Sequence, residues 1–532
     1  MFDTLIRGGT IIDGSGAPGQ PGDVGVTGDH IAAVGDLSTA SAASILQAEG
    51  LVVCPGFIDV HTHSDLTPLA DPRCASKVRQ GVTTELVGHC GISAFPLERG
   101  TAQEQAVLEN SVMMGHGLIE ADWSDCAGYL EAIERARPAF NMATLVSNGT
   151  IRSAVIGFDN RPPTTDELKE MRRQVDLAME QGAFGLSSGL TLYPSSVAQT
   201  DELVALCEQV ARWDGLYISH VRHIPGWHFK SVEEAIEIGR RSGAAVQVAH
   251  LFLGDPRHWG EGNHLIEMIE NARREGLDVT FDAYPYLAAG CPVSELTPRW
   301  VQDGGTEAML SRLADPAVVE QAITDIGKGI PRRWDKIVVA YGGPYGDPAW
   351  KGKTIAALAD DAGVSSEAML FRLLIQSRDI GKLIVFNRVE EDVQQFVSHP
   401  LGMIGSDGIA IAADGPLGKS LVHPRFYGTF PRVLSVYVRE RKALTLEQAI
   451  RKMSALTAER LGLKNRGLLK EGYAADLVIF NPTQVRDLAT FEDPHQYPQG
   501  ISHVMVNGQW VVKDGELTAA RPGQVLRHQA HH

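Results

Sequence analysis

Short apolar runs separated by glycine and aspartate turns mark both ends of the chain. Near the amino terminus, DTLIRGGTIIDG and DVGVTGDHIAAVG have the pattern of small antiparallel strands. Near the carboxyl terminus, GYAADLVIFNP and ISHVMVNGQWVVKDGEL repeat this pattern, with Asn507-Gly508 and Asp514-Gly515 as hairpin turns. We therefore expect a small β-sandwich domain that the two ends share, residues 1–54 and 467–532.

The middle of the chain alternates short apolar runs with helical patterns, which is typical of parallel strands joined by crossover helices. Two helix starts carry capping-box pairs, Thr164 with Glu167 and Ser231 with Glu234. Eight is the number of strands that closes a barrel. The eight predicted strands cover residues 56–63, 82–90, 142–149, 184–189, 216–221, 245–250, 278–286 and 402–408. The predicted fold is therefore α/β, a (β/α)8 TIM-like barrel with a small β-sandwich domain built from both chain ends.

An insertion interrupts this pattern between the last barrel strands. About 115 residues separate the seventh and eighth predicted strands, where a βα unit needs roughly 30. We place an insertion subdomain at 288–345, between barrel parts at 55–287 and 346–466. The interval contains two further strand-like runs, 336–341 and 382–387, and either of them is an alternative to one of the eight.

Composition and charge narrow the class of protein. The 532 residues are 44% hydrophobic and 21% charged, which is typical of a globular chain and excludes disorder as the main state. The 65 acidic residues outnumber the 48 Lys and Arg residues, and the net charge of -17 repels nucleic-acid phosphates and anionic lipids. No apolar run approaches the roughly 18 residues of a membrane helix, and MFDTLIRGGTIIDG lacks a signal-peptide pattern. We expect a cytoplasmic protein with no nucleic-acid or membrane partner. The sequence does not decide between a monomer and a homo-oligomer.

Six cysteines in so long a chain are too sparse for a disulfide framework. We expect free thiols, one of which is available to hold a metal.

Side chains that bind metals stand at the ends of the predicted strands. In a closed barrel the carboxyl ends of all strands meet at one rim. His61 and His63 share a face because side chains alternate along a strand, and His220 and His250 are one βα unit apart. A single strand-end histidine is more often a hydrogen-bonded rim residue, but imidazoles, a thiolate and a carboxylate together are the ligands that zinc prefers. The predicted metal ligands are His61, His63, Cys90, His220, His250 and Asp407.

Several motifs in chain order resemble one enzyme family. They are PGFIDVHTHSD, GHCGIS, YISHVR, VAHL, DAYPY, GSDG and HPRFYGTFPRVL. This set is similar to the amidohydrolase superfamily and, within it, to the D-aminoacylase or N-acyl-D-amino-acid deacylase group. The resemblance covers nearly the whole chain, as far as the closing RPGQVLR.

The resemblance implies a zinc-dependent hydrolase of a linear amide whose small-molecule substrate is an N-acyl-D-amino acid or a related hydrophobic N-acyl compound. By likeness, Cys90, His220 and His250 hold a tight zinc, and His61, His63 and Asp407 form a weaker second site. Many amidohydrolases bridge two metals with a carboxylated lysine on the fourth strand. Here AFGLSSGL offers none, and a thiolate takes its place.

The implied mechanism uses zinc and one carboxylate. Hydroxide generated at zinc near neutral pH attacks the amide carbonyl, which the same ion polarises. Asp407 is the expected catalytic acid and base, because it accepts the proton of the water and returns it to the departing amine.

The expected substrate contacts depart from the family pattern. Arg425 of the HPR motif and Tyr284 of DAYPY match residues that bind the substrate carboxylate. A lysine expected two residues past the sixth-strand histidine is Phe252 here, and a serine expected after YPY is Gly290. Because a cation is replaced by an aromatic ring, we expect a pocket for a bulkier or less anionic substrate. His89 replaces the usual asparagine of GNCG.

Two alternatives stay open. The first is hydrolysis of a cyclic amide, as in hydantoinases and dihydroorotases, although those enzymes usually rely on the lysine that is absent here. The second is a non-catalytic scaffold of the same fold, which loss of metal ligands would mark. Zinc content tests the scaffold, and amine release compared with ring opening separates the two activities.

Overall fold

The computed structural model describes residues 1–111, 119–222, 227–329, 331–418 and 421–529. His223, which the sequence pattern assigns to a loop, lies outside the described residues. No helix among those that the structure describes combines the length and the apolar character that crossing a membrane requires.

The strands form three units: a sheet built from the two chain ends, a ring of parallel strands, and a small antiparallel sheet. Their bounds are β1 Phe2–Ile11, β2 Gln20–Thr27, β3 His30–Gly35, β4 Ala42–Gln47, β5 Val52–Pro55, β6 Phe57–Asp59, β7 Val82–Val87, β8 Asn141–Thr144, β9 Val146–Ser147, β10 Gly185–Gly189, β11 Leu216–His220, β12 Ala245–Val248, β13 Val279–Ala283, β14 Ala288–Pro292, β15 Ile337–Tyr341, β16 Lys382–Phe386, β17 Gly402–Ile404, β18 Leu477–Phe480, β19 Ile501–Val506, β20 Gln509–Lys513 and β21 Glu516–Leu517.

The two ends of the chain share one sheet, as predicted. Strands β1 to β5 join β18 to β21 because β18 pairs antiparallel with β5. Both predicted hairpins are confirmed, since Asn507 and Asp514 carry the positive φ angles of tight turns between β19, β20 and β21. A separate apolar cluster, which includes Ile6, Val24 and Leu477, fills this sheet's inner side.

The predicted barrel is confirmed, although its strands are shorter than their apolar runs. Parallel pairing connects β6, β7 and β8, and then β9, β10, β11, β12, β13 and β17. β8 and β9 are two halves of one strand interrupted at Leu145. A parallel bridge between Thr62 and Gly408 connects the last strand to the first and closes the ring. The carboxyl ends of these strands therefore meet at one mouth.

Helices connect the strands. Their bounds are α1 Thr67–Ala70, α2 Ala75–Val78, α3 Ala102–Ser111, α4 Cys126–Ala136, α5 Asn148–Val155, α6 Thr165–Glu180, α7 Thr200–Arg212, α8 His228–Ser242, α9 Gly262–Arg274, α10 Gly305–Leu313, α11 Pro316–Gly327, α12 Ile355–Ala362, α13 Ser366–Ser377, α14 Glu390–Ser398, α15 Arg425–Arg432, α16 Leu446–Met453 and α17 Ala455–Arg460, and a π-helix, Val433–Glu440, continues α15. Among them, α10 to α13, which lie between β14 and β17 along the chain, pack with the small antiparallel sheet.

One of the two predicted capping boxes is present. At the start of α6, Thr164 and Glu167 each accept a hydrogen bond from the other's backbone N–H. The box at Ser231 is wrong because α8 begins at His228, so Ser231 lies inside the first turn. Its hydroxyl donates to the backbone oxygen of Trp227 at 2.8 Å instead.

The long interval before the last barrel strand contains an antiparallel sheet in the order β14, β16, β15. Both alternative strand-like runs belong to this sheet, so neither is a barrel strand. The sheet has its own apolar cluster, which includes Val293, Leu370 and Leu383. The domain boundaries at 54, 287, 345 and 466 stay a prediction, and the three-stranded sheet itself extends to Phe386.

A buried ion cluster lies inside the barrel under its mouth. The Nζ atom of Lys77 lies 2.8 Å from Asp59 Oδ2 and 2.9 Å from Glu85 Oε1, and it donates to Ser406 Oγ at 2.7 Å. Asp59 Oδ1 accepts from the backbone N–H of Ser406 at 2.8 Å. This cluster therefore connects the first two strands to the turn that carries Asp407.

We expect Lys77→Met to lower the free energy of unfolding by about 3–5 kcal/mol, because it leaves two buried carboxylates without their cation. Lys353→Met is the control, since that lysine is 47% exposed and its ion pair with Asp361 contributes at most about 1 kcal/mol. Urea denaturation of both variants measures the difference. Equal stabilities of the two variants would contradict a structural role for the cluster.

Candidate metal centre

The six predicted ligands meet at the mouth of the barrel. His220 is the last residue of β11, and the other five stand two to four residues past the ends of β6, β7, β12 and β17. Cys90, His250 and Asp407 have φ angles of 55°, 33° and 50°, in the left-handed region that residues with a Cβ rarely adopt. Such backbone strain persists where the surrounding structure enforces it, which is common at functional sites. The turns therefore direct these three side chains into the mouth.

Cys90, His220 and His250 form one compact group of potential ligands. The Cys90 Sγ atom lies 3.4 Å from His220 Nδ1 and 3.6 Å from His250 Nε2, and the two ring nitrogens are 3.1 Å apart. Zinc bonds of about 2.0–2.3 Å in tetrahedral geometry separate neighbouring ligand atoms by about 3.3–3.6 Å. The spacing of this group therefore fits a single zinc ion.

A second group consists of His61, His63, Cys90 and Asp407. His61 Nε2 lies 3.4 Å from Cys90 Sγ and 3.6 Å from Asp407 Oδ1, and His63 Nε2 lies 3.0 Å from the same carboxylate oxygen. Cys90 thus belongs to both groups. The arrangement suits two neighbouring ions with the thiolate between them, and strand β10, GLSSG, contributes no lysine to either group.

Electrostatics keeps the shared sulfur and the carboxylate ionised. Burial raises the pKa of the Cys90 thiol, but the charges of His61 and His220 outweigh it and bring this pKa well below its ordinary value. Burial also raises the pKa of Asp407, while Arg425 and His63 hold it well below its usual range. Arg425 Nη1 lies 2.8 Å from Asp407 Oδ2. Both shifts favour the ionised form, which binds a cation or accepts a proton.

Asp282, which the sequence analysis did not single out, orients two of the ligands. His61 Nδ1 donates to Asp282 Oδ1 at 3.0 Å, and the same oxygen accepts from the backbone N–H of His250 at 2.8 Å. Gln247 Nε2 donates to the other oxygen at 2.6 Å. This pairing leaves His61 Nε2 directed at the thiolate. The signal was present in the sequence, because Asp282 is the first residue of DAYPY at the end of β13.

We expect Asp282→Asn to weaken metal binding or turnover about 10–100-fold, because residues that orient metal-binding histidines have effects of that size. Competition with a chromogenic chelator and kcat/KM measure the two quantities. Asp392→Asn is the control, since Asp392 is also buried but accepts from the backbone of Gly260 and Gly262, away from the mouth. Wild-type metal affinity and turnover in Asp282→Asn would refute the orienting role.

His89 packs against the ligands without binding any of them. Its ring stacks on His61 with centroids 4.0 Å apart, and neither ring nitrogen has a hydrogen-bond partner among the described residues. Burial and the charge of His61 hold the pKa of His89 well below its ordinary value. His89 is therefore a neutral ring that supports His61.

A cavity of about 1090 Å³ opens above the metal ligands. Phe252, Tyr284 and Arg425, the predicted substrate contacts, all line it. Arg425 is 2% exposed and paired with Asp407. The cavity also contains Arg388, whose guanidinium carbon lies 4.2 Å from the ring centroid of Phe252. A cation therefore lies beside Phe252 after all, and the cavity is no less positive than the family pattern at position 252 implies.

The sequence analysis missed Arg388 because no motif contains it. It follows β16 of the inserted sheet, and only the folded chain brings it beside Phe252.

Comparisons with known proteins agree with this geometry. A family model described as the amidohydrolase family matches residues 45–512. The chain is 36% identical to an N-acyl-D-aspartate deacylase from Alcaligenes xylosoxydans xylosoxydans, over 98% of this chain and 95% of that protein. It is 35% identical to a D-aminoacylase from the same organism, over 99% of this chain and 98% of that protein. The crystal structure of an N-acyl-D-glutamate deacylase from Bordetella bronchiseptica, complexed with zinc and a phosphonate inhibitor, matches with a TM-score of 0.83 and 34% identity over 99% of both chains.

Proposed function

The chain belongs to the amidohydrolase family, and on that premise we propose that it is a zinc-dependent deacylase of N-acyl-D-amino acids. One observation carries the proposal: a single thiolate, Cys90, belongs to two ligand groups, with the ionised Asp407 beside them. The relatives and the zinc-bound deacylase structure support the same activity. We assign Cys90, His220 and His250 to a tight site and His61, His63 and Asp407, with Cys90 shared, to a weaker one.

Zinc, when bound there, supplies a Lewis acid that polarises the amide carbonyl and lowers the pKa of a water molecule. Asp407 accepts a proton from the attacking water and gives it to the departing nitrogen, because an amine is a far better leaving group than its anion. Arg425 keeps Asp407 ionised before the reaction and limits where its carboxylate can move. The half-buried ring of Phe252 and the buried ring of Tyr284 make this side of the cavity wall largely apolar.

We propose the following cellular setting for this activity. The substrate is a small N-acyl compound, and the acidic chain works in the cytoplasm without a nucleic-acid partner.

A substrate screen on the zinc-loaded protein tests the activity. We expect amine release from N-acetyl-D-leucine and N-acetyl-D-glutamate, little or none from the L enantiomers, and no ring opening of a hydantoin. Elemental analysis of the purified protein, before and after dialysis against a chelator, accompanies the assay. Ring opening without deacylation would favour the cyclic-amide alternative, and full activity without metal would refute the proposal.

A further inference from the structure

Arg388 is a buried cation between two aromatic rings of the cavity wall. It is 9% exposed, and its guanidinium carbon lies 4.2 Å from the ring centroids of both Phe252 and Tyr284. Stacking on two rings holds the guanidinium in one place and stabilises its charge through cation–π contacts. The side chain is therefore a preformed part of the cavity.

No carboxylate forms a direct ion pair with this guanidinium within the described part of the chain, although the charge of Asp407 acts on it from a distance. Arg388 forms no ion pair there, and its Nε atom has no hydrogen-bond partner. Arg425, in contrast, is already paired with Asp407 at 2.8 Å. A buried charge without a partner is costly, because it has lost water and gained no counter-ion. The arrangement thus favours an anion that arrives with a ligand.

The position of Arg388 relative to the metal ligands suits the carboxylate of an amino acid. The ring centroids of Phe252 and Tyr284, which enclose Arg388, lie 6.0 Å and 6.5 Å from that of His250. The guanidinium of Arg425 lies 4.8 Å from the same Tyr284 ring, so two guanidiniums face one region beside the reaction centre. The Tyr284 hydroxyl is also buried and interacts with Arg388, so it belongs to the same polar region. In an N-acyl amino acid, three bonds separate the carboxylate carbon from the carbonyl carbon that is attacked.

We infer that Arg388 binds the free α-carboxylate of the substrate, supplying from the inserted sheet the cation that the family pattern places at position 252. The inference rests on the proposed deacylase function and deepens it, because it makes a free carboxylate a requirement. Guanidinium groups suit this role, since their paired N–H donors match both oxygens of a carboxylate. A lysine at 252 would face Arg388 at close range and repel it, so the two cations are alternatives.

The test compares N-acetyl-D-leucine with its carboxamide on the zinc-loaded enzyme and three variants. We expect the wild type to favour the free acid by about 10²-fold in kcat/KM, as loss of a charged hydrogen-bond partner would predict. Arg388→Met should remove this preference, mainly through KM. Phe252→Lys alone should weaken turnover of the acid, and the double variant with Arg388→Met should recover much of the preference.

Arg378→Met is the control, because Arg378 also lines the cavity but is 45% exposed and pairs with Glu307. It should keep the wild-type preference for the acid. Circular dichroism checks the folding of each variant. If Arg388→Met fails to fold, Arg388→Lys takes its place in the test. This variant keeps the charge and should retain part of the preference for the acid.

Three results would overturn the inference. The wild type could hydrolyse acid and carboxamide equally well, or the Arg388→Met enzyme could still prefer the acid. Alternatively, Arg388→Met could lose activity towards N-acetyl-D-glutamate alone. The last result would show that Arg388 binds the side-chain carboxylate of the D-glutamate substrate instead of its α-carboxylate. A wild type that hydrolyses neither compound contradicts the proposed function instead. Calorimetric titration with the same acid and carboxamide then tests the role of Arg388 from binding affinity alone. Arg388→Met should again lose the preference for the acid.

Discussion

Asp407→Asn is expected to lower kcat by about 10²–10⁴-fold while zinc stays at the Cys90, His220 and His250 group. Asparagine has nearly the same shape as aspartate, so the turn after β17 and the cavity wall keep their form. It cannot accept a proton from water and return it to the amine nitrogen. The loss should therefore appear in kcat more than in KM, in steady-state assays accompanied by elemental analysis.

Asp392→Asn serves as the matched control for this experiment, because it also changes a buried carboxylate but does so outside the cavity. It should keep kcat near the wild-type value. An Asp407→Asn enzyme with wild-type kcat would show that another group handles the proton, and loss of all zinc from it would show that Asp407 is needed to hold the tight ion.

Cys90→Ala is expected to remove the tightly bound zinc and reduce turnover to background. Cys90 is shared by the two ligand groups, so its loss leaves two histidines on one side and two histidines with Asp407 on the other. The tight group then keeps only two ligands, fewer than the three protein ligands that a zinc site needs, whereas the weaker group keeps three. Elemental analysis after dialysis and the deacylase assay measure the two effects.

Cys207→Ala is the control for Cys90→Ala. Cys207 is fully buried in the apolar core on α7, where burial raises the pKa of its thiol, so it remains a neutral thiol rather than a ligand. This variant should keep its zinc and its kcat, with a lower melting temperature at most. A Cys90→Ala protein that retains zinc as tightly as the wild type would contradict the shared-thiolate arrangement.

The candidate metal ligands were predictable because two features of the local sequence identify them together. Short apolar runs locate the strands, and polar residues at the carboxyl end of a run lie at the rim of a barrel. His61, Cys90 and His250 all show both features, and the structure brings them together. The capping box at Ser231 failed because the same short motif also occurs inside a helix, and the chain before α8 decides where that helix begins.

The substrate pocket was less predictable, because its composition depends on contacts between distant segments. Phe252 follows a barrel strand, whereas Arg388 follows a strand of the inserted sheet, and no periodicity relates them. Position 252 by itself indicated a wall with one cation fewer, beside Arg425, and hence a bulkier or less anionic substrate. The contact between the Arg388 guanidinium and the Phe252 ring reverses that conclusion.

The amino-acid sequence by itself determined the barrel, the sheet shared by the two ends and the set of candidate metal ligands, since each depends on spacing along the chain. Only the tertiary structure decided that Cys90 lies between two ligand groups, that Asp282 orients His61, and that Arg388 restores a positive charge beside Tyr284. These features are distances of a few ångströms between residues far apart in sequence, and only the packing of the folded chain sets such distances.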